Sequence, residues 1–214
     1  MQIEIKKNST LNKINEFYDL TPAQITSIED FVILILQQNL QYNFIGKSTI
    51  NDIWDRHILD CAQLMKFIDN KNTKFADFGS GCGLPGIILS ILGIKEMHLV
   101  EKSYRKSEFL RQAKHLSSNH IFIHQAKLEE IGELKFDCIT SRALAPLPKL
   151  LEHALRFLQK DGYCLFLKGK KLPEEIEDSK KIYDFEFETF PSITSPESNI
   201  VKITQIIAKN PNIL

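Results

Sequence analysis

Phe75-Ala-Asp-Phe-Gly-Ser-Gly-Cys-Gly-Leu-Pro-Gly-Ile87 holds four of the nine glycines in the 214-residue chain. Its opening residues read as a short buried strand, and the loop that follows is dense in the one residue that adopts positive φ without steric cost. Gly81-x-Gly83-x-x-Gly86 spells the dinucleotide motif. In a dinucleotide fold, however, the first glycine follows the strand directly, so that the next helix meets a pyrophosphate. Here the strand ends near Phe78 and the register is off by two. Asp77-x-Gly79-x-Gly81-x-Gly83 describes the stretch better: a carboxylate at the end of a strand, then glycine at every second position.

Working outward, short apolar runs alternate with helical stretches. The pattern predicts strands near 74–78, 96–101, 120–124, 136–140 and 162–168, with helices near 84–93, 104–116 and 146–159 between them. That alternation is the mark of a parallel sheet with helices on its faces. Asp184 to Phe190 and Ile200 to Ile207 are two strands with no helix between, so the sheet should end antiparallel. Before the glycine loop the apolar period is helical. Thr21-Pro22-Ala23-Gln24 is a helix start, and a later helix lines up Ile50, Trp54, His57, Ile58, Cys61, Leu64, Met65 and Ile68. The expectation is an α/β, Rossmann-like fold with a mostly parallel seven-stranded sheet and an antiparallel C-terminal strand. Residues 1–70 form a helical lobe packed on a catalytic domain of residues 71–214, effectively one unit.

Composition narrows the function classes. Lys plus Arg and Asp plus Glu number 27 each, so bulk charge neither demands nor excludes a nucleic acid. Residues 1–70 carry 6 basic and 9 acidic side chains against 21 and 18 beyond, which confines any polyanion surface to the C-terminal part. Cys61, Cys82, Cys138 and Cys164 are scattered in apolar segments without Cys-x-x-Cys spacing, so they read as buried free thiols and no metal site is expected. No signal-peptide core and no apolar run of spanning length is present, and a soluble cytoplasmic protein, with no membrane partner, is expected.

The loop suits S-adenosylmethionine. That ligand has no phosphate, but it carries an ammonium, a sulfonium and two ribose hydroxyls. Gly79, Gly81 and Gly83 let backbone close on the methionine part, and Asp77 supplies an anion near its positive charge. Alternatively, Asp77 is only a turn residue and the glycines only shape the turn. Met97-His-Leu-Val-Glu101 adds a second strand ending in an acid about twenty residues on, where a carboxylate can accept both ribose hydroxyls. Glu101 supports a nucleoside cofactor without separating S-adenosylmethionine from NAD.

Asp77-Phe-Gly-Ser-Gly-Cys-Gly-Leu-Pro-Gly-Ile87, with Leu99-Val-Glu101, Lys106-Ser-Glu-Phe-Leu110, Leu128-Glu-Glu130 and Thr140-Ser-Arg-Ala143, resembles the RsmG family, also called glucose-inhibited division protein B. The resemblance runs from Tyr42-Asn-Phe44 through Arg56-His-Ile-Leu-Asp60 to Leu167-Lys-Gly-Lys170. It implies a class I S-adenosylmethionine-dependent methyltransferase acting on a guanine N7 of bacterial 16S ribosomal RNA. It places cofactor contacts on Gly79, Leu84, Leu128, Glu129 and Arg142, with Leu128 and Glu129 flanking the adenine. Cys61 stands where the family commonly has serine, and Cys82 also departs from the pattern. His57 reads by default as a satisfied core histidine; the resemblance adds a pocket-lining role for Arg56, His57 and Asp60.

The chemistry agrees with what is missing. There is no Asn/Asp-Pro-Pro-Tyr segment for amine methylation, and Cys138 sits inside a strand rather than poised as a nucleophile. N7 of guanine needs neither, because it has no proton to remove. Lys102, Arg105, Lys106, Arg111 and Lys114 form one basic cluster, and Lys168-Gly-Lys-Lys171 forms another beyond the fifth strand, where Lys168 and Lys170 are expected to hold RNA phosphates. The expected partner is 16S ribosomal RNA within a small-subunit particle or assembly intermediate, bound by a monomer. The rival readings are a methyltransferase of the same fold with a non-RNA substrate, and a non-catalytic S-adenosylmethionine- or RNA-binding assembly factor.

Overall fold

A computed structural model describes residues 2–210, with the side chains of residues 2–5 outside the description. Two helices open the chain, α1 (Gln2–Asn15) and α2 (Pro22–Asn39). The predicted start of α2 is present in full. Thr21 Oγ1 accepts from Gln24 N at 3.2 Å, Gln24 Oε1 accepts from Thr21 N at 3.0 Å, and Pro22 fills a position whose N–H would have no helical partner. Gln24 Nε2 also donates to Ile91 O at 3.0 Å, fastening α2 to the sheet-covering layer.

The helix expected over Ile50 to Ile68 is not uniform. It runs as a 3₁₀ segment (Lys47–Asp52), a π-helical turn (Trp54–Leu59), the short α3 (Asp60–Ala62) and a second 3₁₀ segment (Gln63–Phe67). Apolar period alone does not register such changes of pitch. The wide turn carries Arg56 and His57, consistent with the tendency of π-turns to occur at functional positions.

The sheet has seven strands: β1 (Lys74–Phe78), β2 (Glu96–Val100), β3 (His120–His124), β4 (Phe136–Arg142), β5 (Leu158–Lys168), β6 (Tyr183–Pro191) and β7 (Asn199–Ala208). Their spatial order is β3-β2-β1-β4-β5-β7-β6. The first five are parallel, and β7 runs antiparallel between β5 and β6. The crossover helices are α4 (Gly86–Ile91), α5 (Tyr104–Ala113) and α6 (Leu147–Phe157). One further helix, α7 (Leu172–Lys180), was not expected. It buries only Leu172, Ile176 and Ser179, too few positions to print a period among its charges.

Strand alternation divides the core between the two faces. Phe75 of β1 and Leu99 of β2 face a layer made of α4, α5 and the N-terminal helices, where Ile28, Phe31, Ile35, Trp54, Leu64 and Ile88 are buried in one cluster. Ala76, Phe78 and Ile139 face α6 and α7, against Leu147, Leu151 and Ile176. All four cysteines are buried free thiols. Among the described residues no helix is long and apolar enough to cross a membrane.

Candidate cofactor and substrate site

The parallel strands bring their carboxyl ends, and the loops that follow them, to one edge of the sheet, where open α/β sheets bind ligands. At the end of β1 the backbone enters the left-handed region at Gly79 (φ +68°), Gly81 (+57°) and Gly83 (+85°), which accounts for glycine at every second position. Two of these differ in a way that matters. A Cβ on Gly83 would stand 2.4 Å from Ile87 Cγ1, so packing forbids a side chain there. A Cβ on Gly81 would meet nothing nearer than Gly79 O at 3.9 Å. Gly81 borders open space, as a ligand cradle requires.

Asp77 lies beneath this loop rather than facing a ligand. Its carboxyl group is fully buried, with Oδ2 accepting from Gly86 N at 3.1 Å and Oδ1 from Thr140 Oγ1 at 3.4 Å. Burial pushes it up to about 7, against the opposing pull of the Gly86 and Ser80 hydrogen bonds. The direct charge contact expected of Asp77 is therefore corrected. The side chain holds the first turn of α4 against β1 and shapes the loop from below.

Glu101, just past β2, closes the cradle from the side. It is 7% exposed, with Oε2 accepting from Gly81 N at 3.0 Å and Oε1 from Ser103 N at 2.8 Å. Each oxygen keeps a lone pair for a further donor. Leu84 is buried in the loop. Leu128 and Glu129 form a 3₁₀ turn after β3, Leu128 packed into the core and Glu129 exposed with Oε1 3.9 Å from His153 Nε2.

Beyond the ends of β4 and β5 lies a cavity of about 730 Å³, walled by Phe44, Thr49, His57, Asp60, Arg142, Lys168 and Thr194 among others. It adjoins the cradle through Leu144, which lines the cavity and packs so close to Gly79 that a Cβ there would lie 2.5 Å from Leu144 Cδ1. Arg142 Nη1 donates to His57 Nδ1 at 3.0 Å and to Arg56 O at 3.3 Å. An arginine can only donate, so His57 Nδ1 is the acceptor and Nε2 carries the proton. That proton goes to Thr49 Oγ1 at 2.8 Å, whose own hydroxyl donates to Gly46 O at 2.8 Å. Burial, with Arg142 and Arg56 beside it, lowers the His57 imidazole to about 4. The ring is neutral at physiological pH and ties the Gly46–Thr49 turn to the end of β4.

The two lysines named from the sequence part ways. Lys168 Nζ pairs with Glu175 Oε2 at 2.5 Å and donates to Ala145 O at 2.9 Å, with its side chain only 9% exposed. Glu175 Oε2 also accepts from Leu147 N at 2.8 Å. Lys168 thus staples α7 to the start of α6, which corrects its reading as a phosphate contact. Lys170 is exposed on the loop. In the other basic cluster, Lys102 and Arg105 are exposed, Arg105 lying 5.2 Å from the Tyr42 ring centroid, while Arg111 is engaged by Glu108 and Gln125. Sequence reasoning missed Thr49, Glu175 and the Ser192–Thr194 turn; Glu175 lies in α7, whose charges mask its period, and the turn's position depends on how β6 and β7 return, which no local pattern encodes.

Comparison with known proteins agrees with this geometry. A family model described as rRNA small subunit methyltransferase G matches residues 24–201. A protein of Rhodospirillum rubrum named ribosomal RNA small subunit methyltransferase G is 35% identical over 182 residues, 85% of this chain and 90% of its own. One of the same name from Orientia tsutsugamushi is 36% identical, covering 89% and 95%. Among solved structures, a ribosomal protein L11 methylase from Lactobacillus delbrueckii superposes with a TM-score of 0.58 at 20% identity over 70% of this chain and 78% of that one. A TYW2 protein of M. jannaschii in complex with AdoMet gives 0.52 at 20% identity, over 68% and 74%. A glycine cradle backed by Glu101, an adjoining cavity at the ends of β4 and β5, and a family match across most of the sequence lead to one conclusion: the chain belongs to the rRNA small subunit methyltransferase G family.

Proposed function

We propose that this protein transfers the methyl group of S-adenosylmethionine to N7 of a guanine in 16S ribosomal RNA. The observation that carries the reading is the juxtaposition of cradle and cavity, joined through Leu144. When bound, S-adenosylmethionine supplies an electrophilic methyl group on a cationic sulfonium. The residues present fit it: Gly81 leaves open space, and the Glu101 carboxylate has a lone pair on each oxygen for a ribose hydroxyl. Leu84, Leu128, Glu129 and Arg142 complete the proposed cofactor contacts, with Asp77, Gly79 and Gly83 setting the shape of the loop.

Guanine N7 presents an in-plane lone pair and no proton, so the site needs no general base. His57 fits that demand: it is held neutral, and both ring nitrogens are committed to Arg142 and Thr49. The work left to the chain is alignment, holding the base against the methyl group with its entropy already lost in binding. In A-form RNA the N7 edge lies in a deep, narrow groove, so the target guanine sits in a loop or is unstacked into the cavity. Exposed Lys170 and Lys171 flank the entrance and meet phosphates. In this reading a cytoplasmic monomer, with residues 1–70 as a lobe on the catalytic unit, acts on a small-subunit particle or assembly intermediate.

Thermal unfolding tests the cofactor assignment. S-adenosylmethionine at about 100 times its Kd is expected to stabilise the protein by about 2.7 kcal/mol, and NAD to give no shift. Stabilisation by NAD alone would refute the reading.

A further inference from the structure

Asp60, in α3, forms part of the cavity wall, and its two carboxylate oxygens are used very differently. Oδ1 accepts from Thr194 Oγ1 at 2.8 Å and Gln63 Nε2 at 3.0 Å, while Ser192 Oγ, 2.9 Å from Thr194 Oγ1, stands farther off at 3.4 Å. Two donors on one oxygen hold the carboxylate from behind. Oδ2 accepts no hydrogen bond among the described residues, and it forms an ion pair with Arg142 Nη1 at 3.6 Å. Arg142 in turn spends Nη1 on His57 and Arg56, while Nη2 and Nε have no hydrogen-bond partner among the described residues. The cavity wall therefore carries a guanidinium and an open carboxylate oxygen side by side, both held from behind.

We propose that Asp60 is the specificity-determining residue for guanine, accepting hydrogen bonds from N1–H and the 2-amino group through Oδ2 while Arg142 donates to O6. The inference rests on the methyltransferase reading above and deepens it. The order of the two groups matters. Arg142 ends β4, which pairs with β1 and hence lies beside the glycine loop, whereas Asp60 lies on the lobe side of the cavity. A base whose N7 faces the cofactor turns its 6-substituent toward Arg142 and position 1 toward Asp60. Guanine then sets O6 against a donor and N1–H against an acceptor. Adenine in the same pose sets an amino group against the guanidinium and a lone pair against the carboxylate, and both contacts repel. Asp60 also contributes to rate. Methylation at N7 leaves the ring cationic, which sharpens N1–H and the 2-amino group as donors, so their bonds to a carboxylate strengthen as the reaction proceeds.

The experiment compares small-subunit RNA carrying guanine or inosine at the methylated nucleotide, read by single-turnover methylation and by equilibrium RNA binding. Inosine keeps N7, O6 and N1–H and lacks only the 2-amino group. Wild-type protein should favour guanine by about ten-fold, a typical loss for one hydrogen bond to a charged group. Asp60→Asn should lower the guanine rate about 10- to 100-fold and erase the guanine-to-inosine ratio. The Thr194 and Gln63 donors on Oδ1 keep the amide oxygen at that position, so the NH₂ replaces Oδ2 and confronts N1–H. Equal guanine and inosine rates in the wild type would overturn the proposal even if Asp60→Asn failed to fold. A folded Asp60→Asn variant that retained the wild-type ratio would overturn it as well. Failure of the wild type to methylate RNA at all would instead refute the methyltransferase reading.

Discussion

At the residue scale, Glu101 and His57 are each held by at least one partner distant in sequence. Glu101 reads from the sequence as a strand-end acid; in the fold it accepts two backbone N–H groups and ties the loop after β1 to the start of α5. His57 reads by default as core, and its Arg142 partner lies 85 residues on. That contact makes a prediction with a definite sign. An imidazole near 6.5 when unfolded and about 4 when folded keeps its stabilising effect above pH 6.5 and loses it as pH falls toward 4. Denaturant unfolding should show the wild type losing about 2 kcal/mol more than His57→Gln between pH 7 and pH 5. Parallel pH profiles for the two proteins would show that His57 is not buried neutral.

At the element scale, the glycine loop separates open space from packing space. Gly81→Ala should cost about 1 kcal/mol of stability for its positive φ and should abolish calorimetric binding of S-adenosylmethionine, because its Cβ enters the open cradle. Gly83→Ala should instead lower the melting temperature sharply, its Cβ driven into Ile87. The reverse pattern would mean that Gly81 does not border the cofactor. The α6–α7 junction separates its lysines in the same manner. Lys168→Ala should destabilise the fold by about 1–3 kcal/mol, since it leaves Glu175 half-buried without its cation. Lys170→Ala should leave the melting temperature unchanged while weakening RNA binding and flattening its salt dependence, measured by titration at two ionic strengths. Strand positions and the α2 cap were legible because period and capping are local. Which lysine is buried was not, because it depends on α7, whose charged residues hide its period.

At the scale of the whole molecule, the alternation of strands and helices predicted the parallel sheet and its antiparallel end. The glycine register distinguished the loop from a dinucleotide site before any contact was known. The walls of the cavity were only partly legible. Arg142 ends β4 and Lys170 follows β5, where ligands are expected, and the family resemblance pointed to Asp60, but Thr194 and Thr49 meet them there only because the N-terminal helices and the β6–β7 turn fold over the same edge. If cradle and cavity form one methyl-transfer site, incubating the protein with methyl-labelled S-adenosylmethionine and unmodified small-subunit RNA or particles, then digesting the RNA to nucleosides, should reveal label in 7-methylguanosine at a single nucleotide. Label in another nucleoside, or none in RNA while S-adenosylmethionine binds normally, would overturn that reading.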